Sequence, residues 1–257
     1  MALIRLDYSP ENVKINSPLN IILPDPEELQ VIPLRERKVL YLLHGHGDDA
    51  SAWQRYTSIE VYARRYGLVV VMPSFWSSYY VDNSIGQKYF TYLMEELPHY
   101  LEMVFGIIPK RENTLVAGNS MGGYGAFKAA LNYPDRFFAA ASFSGLLSMA
   151  LVSVMPSDDP RKDEFVQIFG DPNKLPGGEH DPITWLQHAG QNPKSLPYLY
   201  VSCGRQEDLY PLNLQFIGAS RSIGIPIDYY EEDGTHTWPY WDANIQRFLS
   251  KVLEPIE

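Results

Sequence analysis

Cysteine is almost missing from the sequence, since Cys203 is the one thiol among 257 residues. A lone cysteine forms no disulfide within its own chain, which fits a reducing compartment. Basic residues are also scarce: 21 Lys and Arg stand against 31 Asp and Glu and give a formal charge of -10. This charge disfavours nucleic acid or an anionic membrane surface as a partner.

Long apolar runs are lacking as well. The strongest, Val39–Leu43 and Leu68–Met72, are far too short to cross a bilayer as helices. The first residues, MALIRLDYSPENVK, have no charged start followed by an apolar stretch and a small-residue cleavage site, so they do not indicate a signal peptide. We therefore expect a soluble, cytoplasmic protein.

Short β-rich runs alternate with helical periodicity along most of the chain, which is typical of α/β proteins. Two early segments, Ile4–Asp7 and Pro18–Leu23, have the pattern of an antiparallel pair. The later runs are mostly apolar throughout, as strands buried on both faces of a parallel sheet should be. They are Val39–Leu43, Leu68–Met72, Thr114–Ala117, Phe138–Phe143, Tyr198–Ser202 and Ile227–Tyr230. No linker-like break in composition divides them, so we expect a single domain over residues 1–257.

Helical stripes between these runs predict helices packed on the sheet. Pro98 should kink or divide the helix predicted near residues 93–104. A C-terminal helix should place Trp238 and Trp241 in the core. Residues 150–197 break the rhythm with prolines, glycines and charges, so this insertion is either a cap that shapes a substrate pocket or a surface excursion.

Residues 118–122 read Gly-Asn-Ser-Met-Gly and fit the pattern G-x-S-x-G. Small residues on both sides of the serine permit a cramped turn from a strand into a helix, which exposes the serine at its tip. The run Thr114–Ala117 precedes the motif, and Met121–Leu131 follows it with helical periodicity. Ser120 is therefore the candidate nucleophile.

A serine hydroxyl is a weak nucleophile near neutral pH and needs a histidine base oriented by a carboxylate. In hydrolases with this motif the chain order is Ser, then Asp or Glu, then His, with the last two after later strands. Asp208 and His236 satisfy this order. Glu207 is the competing acid and Asp233 a weaker one, and the placement of Asp208 at a predicted helix start favours Asp208.

A tetrahedral intermediate also needs backbone donors for its oxyanion. The amide of Met121 is the first candidate. The glycine-rich residues 43–48 should supply the second, for which we select the His46 amide, while His44 should order this loop through hydrogen bonds. Two histidines one residue apart, without a third ligand, do not make a metal site, and no metal or cofactor is expected. The aromatic residues 75–80 either wall the acyl or alcohol pocket or pack as ordinary core.

Three stretches resemble the esterase D family of α/β-hydrolases. They are Leu-Leu-His-Gly at 42–45, Ala-Gly-Asn-Ser-Met-Gly-Gly-Tyr-Gly-Ala at 117–126, and Gly-Thr-His-Thr-Trp at 234–238 with Trp241. That family includes S-formylglutathione hydrolases, feruloyl and acetyl-xylan esterases, the mycolyltransferases of the antigen 85 complex and bacterial tributyrin esterases, and the sequence resembles the last group most. Two departures from the formylglutathione hydrolases are Asn119, where they usually carry histidine, and an oxyanion loop without their cysteine. Thr237 stands where many relatives have glutamate.

The resemblance implies an α/β-hydrolase fold with a mostly parallel central sheet flanked by helices and a short cap-like insertion. It implies a triad of Ser120, Asp208 and His236 with the His46 and Met121 amides as the oxyanion hole, and it too favours Asp208 over Glu207. Self-association into a homo-oligomer is plausible by analogy with relatives.

The main functional hypothesis is a serine carboxylesterase that hydrolyses short-chain acyl esters, small-molecule substrates, through an acyl-enzyme intermediate. Alternatives are an S-formylglutathione hydrolase, a carbohydrate acetyl or feruloyl esterase, or an acyltransferase in which an alcohol replaces water. A hypothesis of another class is an inactive hydrolase-fold binding module, which has no chemical need for all three triad residues.

Overall fold

The computed structural model describes residues 1–83, 85–156 and 158–256, and an eight-stranded sheet runs through it. The strands are β1 (Ala2–Tyr8), β2 (Ser17–Leu23), β3 (Val39–Leu43), β4 (Val69–Pro73), β5 (Thr114–Asn119), β6 (Ala139–Phe143), β7 (Tyr198–Gly204) and β8 (Asp228–Glu232). Their order in the sheet is β1-β2-β4-β3-β5-β6-β7-β8. The pairs β1/β2 and β2/β4 are antiparallel, and every other pair is parallel. This is the predicted mostly parallel α/β-hydrolase sheet.

Helices cover both faces of this sheet. They are α1 (Pro26–Val31), α2 (Ala52–Tyr56), α3 (Ile59–Tyr66), α4 (Tyr89–Thr91), α5 (Leu97–Phe105), α6 (Met121–Asn132), α7 (Ala150–Ser153), α8 (Lys162–Phe169), α9 (Pro182–Ala189), α10 (Tyr210–Ile223) and α11 (Trp238–Val252). Apolar side chains of α5, α6 and α10 form the core on one face, and those of α2, α3 and α11 form the core on the other. Within the described part of the chain, no helix is both long and apolar enough to span a bilayer.

The observed strands match the sequence predictions closely. Val39–Leu43 is β3 residue for residue, and every other predicted strand ends within two residues of the observed one. Pro98 was predicted to kink or divide its helix. The helical segment is continuous from Tyr89 to Phe105 and changes from a π-helical turn, Tyr92–Glu96, to α5 just before Pro98, which is the second residue of α5. Trp241 is buried on α11 and Trp238 is half-buried against the same core, as predicted.

Lys128 is a buried residue of α6, and among the described residues no carboxylate forms an ion pair with its ammonium group. Its Nζ donates to the Tyr80 carbonyl at 3.0 Å and lies 4.2 Å from the centre of the Phe90 ring. Burial lowers the pKa of Lys128 to about 8, although Asp82 and Glu179 oppose this shift. The unfolded chain holds the same proton up to about pH 10.4. The charged ammonium therefore destabilises the fold most below pH 8, and stability recovers as the pH rises from 8 towards 10.4.

We expect Lys128→Met to stabilise the protein at pH 7 by about 1–3 kcal/mol, because the variant removes a buried charge and loses a single hydrogen bond. The advantage should shrink by at least 1 kcal/mol at pH 9.5, where the folded wild type has already released the proton. Urea unfolding at both pH values measures this difference. A variant that is less stable at pH 7, or whose advantage does not change with pH, would show that Lys128 is not under strain from burial.

Candidate functional site

Ser120 occupies a strained turn between β5 and α6. Its φ angle of 52° lies in the left-handed region, which non-glycine residues rarely adopt and which tends to occur at functional sites. A Cβ on Gly118 would lie 2.5 Å from the backbone carbon of Gly122, so the turn closes only with glycine at that position. The Ser120 amide donates to the Phe143 carbonyl at 2.8 Å, which fixes the turn to the neighbouring strand. The predicted strand, turn and helix are all present.

His236 lies in the loop between β8 and α11, and its imidazole contacts Glu207. The distance from Nδ1 of His236 to Oε2 of Glu207 is 2.7 Å. The Glu207 side chain is fully buried, whereas 39% of the His236 side chain is exposed. The other oxygen of Glu207, Oε1, accepts from the Gly204 amide and the Ser144 hydroxyl, each at 2.8 Å. A buried carboxylate held by two donors is a well-oriented partner for an imidazole.

The prediction that Asp208 contacts the imidazole is therefore wrong. It relied on Asp208 standing at the start of a helix, but α10 begins at Tyr210 and its N-cap is Leu209. Residues 205–208 instead form a turn after β7, which directs Glu207 inwards and leaves Asp208 exposed at the rim of the cavity. Asp233, the weaker alternative, is exposed and pairs with Arg205 at 3.4 Å.

Two residues that support this pair were not identified from the sequence. Ser144, directly after β6, also has a positive φ of 52° and donates to Glu207. Trp241 donates from Nε1 to the Ser144 hydroxyl at 3.1 Å, and its ring meets the His236 ring edge-on at 4.9 Å between centres. Trp241 was predicted as core, and it is buried, but it also orients the acid and the histidine. The helical spacing that predicted a core position for Trp241 does not indicate this second role.

The loop after β3 lies against the nucleophile turn. A Cβ on Gly122 would overlap the Leu43 carbonyl oxygen and lie 2.8 Å from the His44 carbonyl oxygen. His44 orders this loop as expected: Nδ1 contacts the Gly45 carbonyl and Nε2 accepts from the Phe75 amide, both at 2.8 Å. Burial lowers the pKa of His44 to about 4, so the ring is neutral at pH 7.

The two backbone amides predicted to face an oxyanion belong to these adjoining segments. Met121 is the first residue of α6, so its N–H has no partner within the helix. His46 lies in the loop, and its side chain reaches across to the insertion, with Nε2 at 2.8 Å from Oε1 of Glu164. Among the described residues, no group of three or more His, Cys, Asp or Glu side chains is arranged to hold a metal ion.

A cavity of about 790 Å³ joins these groups, and it is lined by Ser120, His236 and Glu207. Its apolar side comes largely from the insertion and α10, through Leu146, Leu151, Val152, Met155 and Leu212. Its polar side comes from His46, Arg161, Glu164 and Asp208. The described part of the insertion therefore lines the same cavity as Ser120, through Leu151, Val152, Met155, Arg161, Glu164 and Phe165.

The chain is similar to known proteins over nearly its whole length, and this similarity shows its family. The "Esterase" family model matches residues 12–251, nearly the whole chain. The chain belongs to the Esterase family. An acetyl esterase of Caldicellulosiruptor saccharolyticus, a curated relative, is 30% identical over 99% of this chain and all of its own length.

Two solved structures of Staphylococcus aureus proteins share both sequence and fold with this esterase. The fluorophosphonate-binding serine hydrolase FphF has a TM-score of 0.87 and 33% identity, and the match covers 97% of each chain. The S-formylglutathione hydrolase FrmB has a TM-score of 0.85 and 33% identity, covering 97% of this chain and 98% of its own. The protein is thus a carboxylic ester hydrolase of the α/β-hydrolase fold.

Proposed function

We propose that the protein is a serine carboxylesterase that cleaves short acyl esters, with Ser120 as nucleophile, His236 as base and Glu207 as the triad acid. One observation carries this proposal: a serine on a strained turn and an imidazole held by a buried carboxylate line the same cavity. The short acyl group is supported by similarity to a protein named an acetyl esterase. The resemblance to bacterial tributyrin esterases supports an ester of up to four acyl carbons.

The hydrogen bond between Glu207 and Nδ1 sets the chemistry of the imidazole. A carboxylate there accepts the Nδ1 proton, which leaves the Nε2 lone pair free to act as a base. Nε2 takes the Ser120 proton as Oγ bonds to the ester carbonyl carbon, and the carbonyl oxygen becomes the oxyanion. The His46 and Met121 amides are the donors that stabilise this charge.

Collapse of the tetrahedral intermediate breaks the bond to the alcohol oxygen. That oxygen takes the proton from Nε2 and leaves as a neutral alcohol, so Ser120 now carries the acyl group. Deacylation repeats these steps with water in place of the serine. The water gives a proton to Nε2 as its oxygen attacks the acyl carbon, and the second tetrahedral intermediate then releases the acid while Nε2 returns the proton to Ser120. No metal is needed at any step.

A second candidate substrate class, acyl esters of carbohydrates, is favoured by a groove that includes Gly47 and Asp48 of the oxyanion loop. This groove, of about 540 Å³, is lined by Asp48, Asp49, Arg55, Tyr56 and Trp76. Trp76 is 45% exposed and has a positive φ of 51°, so a bulky residue is held in a strained conformation without being buried. Exposed aromatic faces beside groups of both charges suit a neutral polyhydroxylated alcohol. The aromatic residues 75–80 therefore have different environments: Phe75 and Tyr80 are buried in the core, whereas Trp76 lines the groove.

The experiment that tests the proposal compares initial rates on p-nitrophenyl acetate, butyrate and octanoate, S-formylglutathione, methyl ferulate and acetylated xylo-oligosaccharides. We expect kcat/KM on acetate or butyrate to exceed that on octanoate at least tenfold. Trp76→Ala should lower kcat/KM severalfold on the acetylated sugar and leave p-nitrophenyl acetate unchanged if the groove holds the alcohol. Dominance of S-formylglutathione or octanoate would contradict the short-chain assignment.

Labelling with a fluorophosphonate identifies the nucleophile independently of substrate. Peptide mapping should find the adduct on Ser120, and Ser120→Ala should remain unlabelled while keeping the wild-type melting temperature. Absence of an adduct together with absence of turnover would favour the inactive binding module.

A further inference from the structure

Helix α8 of the insertion lies against the loop that carries the His46 amide, one of the proposed oxyanion donors. Glu164 and Phe165 are neighbours on this helix, and Phe169 follows one turn after Phe165. Both phenylalanines are buried, whereas Glu164 is partly exposed and lines the cavity beside Ser120. The helix therefore combines a buried aromatic pair with a carboxylate at the cavity.

The polar contact between α8 and the oxyanion loop joins two side chains. Nε2 of His46 lies 2.8 Å from Oε1 of Glu164, 118 residues further along the chain. Among the described residues, no other hydrogen bond joins residues 46 and 47 to a different element. Gly47 has a φ of 78°, and a Cβ there would meet no atom within 4 Å. The position of the His46 backbone therefore depends on what holds the His46 side chain.

Tyr79 connects the same helix to both proposed donors. Between ring centres it lies 5.3 Å from Phe165, 5.3 Å from Phe169 and 6.1 Å from His46. Its amide donates to Sδ of Met121 at 3.3 Å. Its φ of 50° is a strained conformation for a bulky residue, which the surrounding packing must hold. A shift of α8 would therefore reach the His46 and Met121 segments together.

An oxyanion hole is sensitive to such a shift. A backbone amide stabilises the oxyanion only when its N–H lies at hydrogen-bond distance from the position of that oxygen. A displacement of about 1 Å in a catalytic group can cost a hundredfold in rate. The His46 and Glu164 side chains are 41% and 37% exposed, and an exposed pair contributes little to folding stability. The contact is therefore better suited to fixing the loop than to stabilising the fold.

We propose that Glu164 is a positioning residue of the oxyanion hole, which holds the His46 imidazole and, through it, the His46 backbone amide. This role rests on the proposed function, in which that amide faces the oxyanion. Helix α8 then does more than line the cavity, because catalysis needs it docked on the loop. The contact matters most in the transition state, where charge develops on the carbonyl oxygen, so it affects kcat rather than KM.

Steady-state kinetics of Glu164→Ala on p-nitrophenyl acetate test this role. We expect kcat to fall about tenfold and KM to stay within about twofold of wild type, because the amide is still present but is no longer held. Glu164→Gln keeps an oxygen for Nε2 of His46 and should retain at least about a third of the wild-type kcat. Asp163→Ala is the matched control, since it removes the same charge from an exposed neighbouring position of α8 and should leave kcat and KM unchanged.

A double-mutant cycle separates this role from a direct contact of Glu164 with the substrate. His46→Ala removes the imidazole and keeps the backbone amide, so it should lower kcat about as much as Glu164→Ala does. The double variant should lose less than about twofold more, because both changes break the same contact. Melting temperatures of all variants should stay close to that of wild type. Losses that multiply in the double variant would show that the carboxylate acts on the substrate directly, and they would overturn the proposal.

A trifluoromethyl ketone reports on the oxyanion itself. Oγ of Ser120 bonds to its carbonyl carbon, His236 takes the hydroxyl proton, and the carbonyl oxygen becomes an oxyanion. Glu164→Ala should bind this ketone about tenfold more weakly than wild type and bind the corresponding methyl ketone equally well. If kcat and ketone affinity were unchanged in Glu164→Ala while turnover still required Ser120, this role alone would be refuted. If Ser120→Ala turned over as fast as wild type, or if neither turned over, the proposed function would fail and this role with it.

Discussion

Glu207→Gln is expected to lower kcat/KM on p-nitrophenyl acetate about 10³- to 10⁴-fold, whereas Asp208→Asn should stay within about twofold of wild type. The reason lies in the donors that surround the carboxylate. The Gly204 amide and the Ser144 hydroxyl both donate to Oε1, so the amide oxygen of glutamine would take that position. Its NH₂ group would then face Nδ1 of His236, because Oε2 contacts this nitrogen in the wild type.

An NH₂ group facing Nδ1 reverses the tautomer of the imidazole. Nδ1 must become the acceptor, so the proton moves to Nε2, which can no longer take the proton of Ser120. Asp208 is exposed, and removing its charge alters only the rim of the cavity. Steady-state kinetics of both variants, with circular dichroism and melting temperatures to verify folding, measure the contrast.

Glu207→Asp provides a second measurement in case the amide disturbs folding. The shorter carboxylate keeps the charge but loses reach towards His236, so activity should fall while the melting temperature changes less than in Glu207→Gln. The opposite result, an inactive Asp208→Asn and an active Glu207→Gln, would show that Asp208 is the triad acid, as the sequence predicted.

The strands and the nucleophile turn were predictable because their signals are local. Apolar runs such as Val39–Leu43 are buried on both faces, and the glycines at 118 and 122 mark a close approach that no other residue permits. In each case the residues that form the feature are neighbours in sequence. Periodicity and motif spacing then carry the information needed.

The triad acid could not be chosen in this way, because adjacent residues compete for the role. Glu207 and Asp208 are both acids at the end of β7, and the choice depends on how a four-residue turn directs each side chain. That direction is set by Ser144, which is 63 residues away and donates to Glu207. Ser144 is held in turn by Trp241, 97 residues further along the chain. Contacts across such distances leave no pattern in one sequence.

Gly122→Ala should destabilise the protein by about 3 kcal/mol or more and reduce kcat/KM at least a hundredfold. The added methyl would overlap the Leu43 carbonyl oxygen and lie 2.7 Å from the Leu43 carbonyl carbon, so strand β3 or helix α6 must move. Overpacking against backbone is costly, because no side chain can rotate away. The displaced segment includes the loop with the His46 amide, and a shift of about 1 Å in a catalytic group can cost a hundredfold in rate.

Gly218→Ala is the matched control for this prediction. Gly218 lies inside α10, and a Cβ there would meet no atom within 4 Å. Alanine in an open helical position should stabilise the fold by about 0.5–1 kcal/mol and leave kcat/KM unchanged. Urea unfolding and kinetics of both variants compare the same change in two environments. If Gly122→Ala were as stable and active as Gly218→Ala, the nucleophile turn could not lie against the loop after β3, and the assignment of the His46 and Met121 amides to one oxyanion would fail with it.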